Sequence, residues 1–211
     1  MERTFLKDRA YQELKTMLLD GSYSPGTFLS ERKLGEQLGM SKTPIRAALE
    51  RLEAEGFVAT APQQGIIVRE LSLRQIREHY EIRAALESYI VQQIAGKLIP
   101  EQILALEKNL ETQKTCIILG DIRGHVEADA EFHQLLAGFL GNDEIQKVMQ
   151  HQRDKMFRVA LQISQKNPTR MNASLDEHIS IFEMIRDGDE KQAVALVREH
   201  FETGKRYLLN I

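Results

Sequence analysis

Apolar residues in the first third of the chain recur at helical spacing in three short blocks, and then change to an imperfect alternation. Leu14, Met17 and Leu18 share a face of a helix predicted over Arg9 to Leu19. Leu34 and Leu38 share a face of a second, which starts from Ser30 as N-cap, with Lys33 where a full capping box has Glu, and which Gly39 ends. Ser41 caps a third helix, and Pro44 sits in its first turn, where a missing N–H costs little. Ile45, Leu49 and Leu52 form its inward stripe. Two β-rich runs follow, Phe57 to Ala61 and Ile66 to Arg69, with Pro62 and Gly65 between them, which predicts a hairpin.

Beyond Leu71 the strand signals stop and helical patterning runs to the end. Six helices are expected: Leu73 to Lys97, Pro100 to Leu119, Ile122 to Leu140, Asp143 to Gln165, Thr169 to Arg186 and Glu190 to Leu209. Their stops are Pro100, Gly120 with Asp121, Gly141 with Asn142, Asn167 with Pro168, and Gly188. Connections this short favour antiparallel neighbours. The fold expected is mainly α: a winged helix-turn-helix domain over residues 1–72, then an all-α antiparallel bundle of about six helices over residues 73–211.

Helix-turn-helix order gives the polar residues of the third helix a possible task. Lys42, Thr43, Arg46 and Arg51 lie around its N-terminus and outer face, where a recognition helix carries groups for base edges and phosphates. The hairpin tip, Gln63, Gln64 and Gly65, is placed to enter an adjacent minor groove, glycine permitting close approach to phosphate. An ordinary packing pair with solvated charges reads the same residues. Charge leans only weakly: Arg32 to Arg51 holds five Lys or Arg and two Glu, yet residues 1–70 hold ten of each sign.

Composition sets wide bounds. The 211 residues are 42% hydrophobic and 28% charged, enough for two modest domains, and the net charge of −3 says nothing of partners. Neither end reads as a targeting signal. No run approaches the roughly 18 apolar residues of a membrane span, so a cytoplasmic protein with no membrane partner is expected. The single cysteine, Cys116, beside Ile117 and Ile118, reads as a core residue rather than a nucleophile.

A second constellation lies in the bundle. Asp129 and His133, four apart, are neighbours on one helix face, and His178 and His200 fall on the fifth and sixth bundle helices. Three imidazoles and a carboxylate converging from three helices suit a divalent cation. Each histidine taken singly also reads as a surface or hydrogen-bonded core residue, as His79, His125 and His151 do. Arg83 reads either as a clamp for a carboxylate or as the i,i+4 partner of Glu87. Arg153 and Arg158 are weaker candidates of the first kind.

The run GSYSPGTFLSERKLGEQLGMSKTPIRAALERLEAEGFVATAPQQGIIV resembles the DNA-binding domain of the GntR family of bacterial transcription regulators. By that resemblance Arg32, Ser41, Lys42, Thr43, Arg46 and Gly65 touch operator DNA. Two positions depart from the family pattern: Lys42 stands where arginine is usual, and an ammonium lacks the planar fork for a bidentate guanine contact; Ala47 replaces a common Glu. The segments EADAEFHQLLAGFLGN and EHISIFEMIRDGDEKQAVALVREH resemble the FCD ligand domain of the FadR subfamily. That resemblance implies Asp129, His133, His178 and His200 as metal ligands. In YEIRAALESYIVQQIA it implies Arg83 as a residue facing a central cavity.

The resemblance also implies function. It points to a homodimeric regulator, usually a repressor and not an enzyme, that binds an inverted-repeat operator and responds to a small carboxylate effector. Zinc is favoured as the metal, and nickel, cobalt, manganese or iron suit the same donors. Two other classes stay open from the residues: a metal-dependent hydrolase-like bundle, and a constitutive DNA binder whose metal is purely structural.

Overall fold

A computed structural model describes residues 2–61 and 65–208, so Gln63 and Gln64 of the expected wing tip lie outside the described residues. The chain divides into two compact units, Met1–Ser72 and Leu73–Ile211.

The first unit holds α1 (Glu2–Leu19), β1 (Phe28–Leu29), α2 (Glu31–Leu38), α3 (Lys42–Ala54), β2 (Val58–Ala61) and β3 (Gly65–Val68). Helix α1 begins at Glu2 rather than Arg9. Its Ala10, Tyr11, Leu14 and Leu18 meet Leu34 of α2 and Ile45, Leu49 and Leu52 of α3 in one buried cluster. Burying each large aliphatic side chain of this kind contributes roughly 1.5–3 kcal/mol. Gly39 stops α2 in the left-handed conformation, φ 63°, and its N–H and that of Met40 close on carbonyls of the last turn. Ser30 and Ser41 occupy the N-cap positions in extended conformation, but neither hydroxyl makes the capping bond.

The expected hairpin is present as β2 and β3, antiparallel, with Val58 opposite Val68 and Ala61 opposite Gly65. A third strand joins it that the pattern did not predict. Phe28 and Leu29 pair with Ile67 and Ile66, giving the order β1-β3-β2. Two residues are too few to show alternation. What fixes this strand is its ladder, extended by Gly26 N–H to the Val68 carbonyl at 2.9 Å and Val68 N–H to the Thr27 carbonyl at 2.9 Å.

The second unit is all helical: α4 (Leu73–Ile94), α5 (Pro100–Leu119), α6 (Ile122–Leu140), α7 (Asp143–Lys166), α8 (Thr169–Asp187) and α9 (Glu190–Leu208). Helix α4 ends three residues before the expected Lys97, because Gly96 turns left-handed and donates to the Ile185 carbonyl at the end of α8. Asp121 and Asn142 cap α6 and α7 with side-chain oxygens on backbone N–H groups. Helix α6 packs against α4, α5, α7 and α8, and α9 packs against α4 and α8. Phe132, Leu136, Ile90, Met149, Phe182 and Phe201 fill the interior.

One expectation for a side chain is overturned here. Cys116 is only half-buried near the end of α5, where Ile118 and Leu119 are each 74% exposed, so it is not a core residue.

Candidate functional site

Helix α6 delivers Asp129 and His133, α8 delivers His178 and α9 delivers His200. One ring nitrogen from each of the three buried histidines falls within 4.8 Å of the others. Asp129 lies beside them: its Oδ2 is 3.9 Å from His133 Nε2 and its Oδ1 is 3.8 Å from His178 Nε2. Ser174 of α8 donates to Asp129 Oδ1 at 2.7 Å and fixes that carboxylate.

Each imidazole is held from behind at Nδ1. Glu87 of α4 accepts from His133, Gln113 of α5 from His178 at 3.0 Å, and Glu177 of α8 from His200 at 2.6 Å. An acceptor at Nδ1 puts the proton there and leaves Nε2 as a lone pair. The Gln113 amide is itself oriented, since its NH₂ donates to Asn109 Oδ1 at 2.8 Å and Asn109 donates in turn to the Ala128 carbonyl. His178 lies flat against Phe132, centroids 4.3 Å apart, which fixes the ring plane. The Nε2 atoms of His133 and His178 are buried with no hydrogen-bond partner.

Electrostatics sort the donors into the charge states that a cation requires. Burial disfavours charge on Asp129, but the imidazoles of His178, His133 and His200 outweigh it, so the carboxyl stays well below its usual range and is ionised. Burial pushes His178 well below the ordinary histidine value, with Asp129 only partly opposing it. His200 is lowered by burial too, against the opposing bond to Glu177. Glu87 is kept ionised against its own burial by His133 and Arg83. One anionic and three imidazole donors, two of them with orphaned Nε2 atoms, fit a divalent transition ion.

Two small cavities border the cluster and share Arg83 and Asp129 in their walls. The larger, about 60 Å³, is also lined by Tyr80, His125, Ser164, Arg170 and His200. Arg83 makes the i,i+4 pair: Nε donates to Glu87 Oε1 at 3.0 Å, and the guanidinium lies over Phe201 at 4.8 Å on the cavity wall. Arg153 borders the smaller cavity with its Nε buried and unpartnered, whereas Arg158 lines neither. Glu177, Gln113, Arg170 and Ser174 were not singled out from the sequence, and Glu87 only as a partner for Arg83. Local signals existed for two of them: Glu87 follows Arg83 by one turn, and Glu177 precedes His178.

In the first unit Arg32, Ser41, Lys42, Thr43, Arg46 and Gly65 are all exposed. Arg32 pairs with Glu36 at 2.8 Å, and Arg46 makes a two-pronged pair with Glu31. Gly65 has φ 97°, with only the Leu29 carbonyl near the space a Cβ would take. Arg51 belongs elsewhere: its guanidinium stacks on Tyr11 at 3.6 Å and bonds Glu55 at 3.3 Å, which ties α3 to α1.

Residues 6–68 match the family model described as bacterial regulatory proteins, gntR family, and residues 78–203 match that of the FCD domain. The chain is 27% identical over 202 residues to the HTH-type transcriptional regulator YdhC of Bacillus subtilis, covering 95% of this chain and 90% of that one. It is 28% identical over 187 residues to the HTH-type transcriptional repressor RspR of Escherichia coli, covering 87% and 81%. The solved structure of Escherichia coli McbR/YncC superposes with a TM-score of 0.83 at 24% identity, over 97% of each chain, and shows the shared fold.

Proposed function

The chain belongs to the GntR family of bacterial regulatory proteins, with an FCD domain as its second unit, and we propose that a small carboxylate bound beside a divalent metal in that unit sets its affinity for operator DNA. It is a DNA-binding transcription regulator and not an enzyme. The finer reading rests above all on one observation: three histidines, each anchored at Nδ1, bring a ring nitrogen apiece within 4.8 Å of one another beside a cavity that Arg83 lines.

Asp129, His133, His178 and His200 would hold the ion, zinc being favoured over nickel, cobalt, manganese and iron. Once bound, the ion supplies a Lewis-acidic centre for an acid oxygen. Arg83 supplies a guanidinium for the same carboxylate, its direction set by Glu87. The unit around the first three helices reads DNA through Ser41, Lys42, Thr43 and Arg46 on α3, with Arg32 and Gly65 on phosphates. One such helix reads few base pairs, so a homodimer on an inverted repeat is proposed, acting as a repressor in the cytoplasm. Among the described residues no helix is long and apolar enough to cross a membrane.

Binding the acid draws α4, α6, α8 and α9 into one arrangement, and α4 starts at the residue after the first unit ends. A coupling of about 1–3 kcal/mol is expected, and linkage makes it reciprocal. Calorimetric titration of short acids into the zinc-loaded protein, with and without an inverted-repeat duplex obtained by in vitro selection, measures it. Equal affinities in the two titrations would leave a constitutive DNA binder with a structural metal.

A further inference from the structure

A second arginine borders the larger cavity, and it is wired like the first. Glu87 accepts from Arg83 and from His133; Glu177 accepts from Arg170 Nη2 at 2.8 Å and from His200 Nδ1 at 2.6 Å on the same oxygen. Arg83 sits 12% exposed and Arg170 9% exposed in their side chains. Arg170 is left with Nη1 buried and unpartnered. Across the same cavity His125 is 2% exposed, and neither of its ring nitrogens makes a hydrogen bond of sound geometry, although the Met171 backbone stands beside the ring. Buried polar atoms are left in this state when something else completes them.

We propose that His125 and Arg170 form a subsite that reads a hydroxyl on the carbon chain of the bound acid, so that the ligand is a short hydroxy acid. This rests on the effector reading above. A hydroxyl accepts from Arg170 Nη1 and donates to the lone pair of a neutral imidazole at once, and few other groups do both. Burial pushes His125 below the ordinary histidine value, which keeps that lone pair present at neutral pH.

Charge argues against a second carboxylate in the same place. Arg83 pairs with Glu87 and Arg170 with Glu177, and Asp129 lines the same cavity, two positive groups against three negative. A divalent ion turns that balance to a single positive charge, which one carboxylate neutralises. A second acid group would be buried in excess, and it has no proton to offer His125. Size agrees: about 60 Å³, against the roughly 10–15 Å³ that one water needs, admits a chain of a few heavy atoms.

The full-length, zinc-loaded protein is titrated calorimetrically with butanoate, with its 2-, 3- and 4-hydroxy derivatives, and with succinate. At least one hydroxybutanoate is expected to bind about tenfold or more tighter than butanoate, with succinate weaker than that hydroxy acid. His125→Leu then removes the hydroxyl preference, so that the affinity ratio of the preferred hydroxybutanoate to butanoate falls from about tenfold to about one. Equal binding of butanoate and all three hydroxy acids, or tightest binding of succinate, overturns the subsite and leaves the effector reading standing. Failure of every acid to bind while zinc stays in place overturns both. The panel on unaltered protein decides the matter even where the variant does not fold.

Discussion

Arg46 donates to Glu31 twice, from Nε to Oε1 at 2.9 Å and from Nη2 to Oε2 at 2.8 Å, so the guanidinium of helix α3 already grips a carboxylate in the fork geometry that suits a phosphate or a guanine edge. The bond from Arg46 holds the Glu31 carboxyl below its usual range, with burial opposing. If Arg46 reads DNA as proposed, the duplex has to displace Glu31. Arg46→Ala should lower operator affinity roughly tenfold or more. Glu31→Gln should instead raise affinity for random duplex and steepen its salt dependence, because one more cation is free to release counterions. Fluorescence anisotropy over a salt series reads both, and unchanged operator binding by Arg46→Ala would reject α3 as the reading helix.

His178→Ala and His200→Ala each remove one donor and leave an anchoring group, Gln113 or Glu177, without its imidazole. Zinc content by elemental analysis should fall in both, together with thermal stability. A ligand present at 100 times its dissociation constant stabilises a fold by about 2.7 kcal/mol, so the loss is easily measured. Exposed His151 is the comparison site, and His151→Ala should retain both metal and melting temperature. Equal zinc in all three variants would dissolve the cluster as a metal site.

Gly204 of α9 carries no side chain for a steric reason. A Cβ there would stand 2.7 Å from Tyr80 Cε1 and 3.1 Å from its hydroxyl oxygen, and Tyr80 is 8% exposed, with its hydroxyl pushed up to about 12 by burial. Gly204→Ala should therefore destabilise the second unit by about 1–3 kcal/mol, the usual effect of overpacking. Urea denaturation followed by circular dichroism gives the value. A wild-type midpoint would mean that Tyr80 is free to step aside.

Acid should weaken the first unit through Glu55. Burial raises its pKa, but hydrogen bonds from Tyr11, Lys15 and Arg51 outweigh it, so the folded value lies below the ordinary one. A depressed carboxyl pKa contributes stability that is complete above the unfolded value near 4.3 and is lost as pH falls through the folded value. The melting temperature should drop between about pH 5 and pH 3, and Glu55→Gln should flatten that part of the curve. Parallel curves for the two proteins would remove Glu55 from the explanation.

The fold was readable wherever one residue type has one local consequence. Gly39, Pro44 and Gly188 punctuate helices by backbone geometry alone, and Ile45, Leu49 and Leu52 declare a buried stripe by their spacing. Strand β1 was not readable, because two residues carry no period and its pairing partners lie in β3. In the candidate site Asp129 and His133 announce themselves at i,i+4. The anchors do not: Glu87, Gln113 and Glu177 reach their histidines across 46, 65 and 23 positions, and no spacing rule spans such separations. Arg170 was hidden for the same reason, since its role depends on which wall of the cavity α8 forms. Cys116 is misleading because its apolar neighbours in sequence, Ile118 and Leu119, point to solvent rather than to a core.

Gly96 and Gly188 meet backbone to backbone, so closely that a Cβ on the first would lie 3.2 Å from the Cα of the second. The Gly96 N–H bonds to the Ile185 carbonyl at 2.8 Å in the same place. Contact without side chains brings the two backbones closer than any other residue pair would allow. From that contact the 22 residues of helix α4 extend about 33 Å back to Leu73. A rotation of about 3° there carries the far end of the helix through about 1.7 Å. If acid binding shifts the helices beside the histidines as proposed, that length enlarges the shift before it reaches the chain that leads into the winged unit.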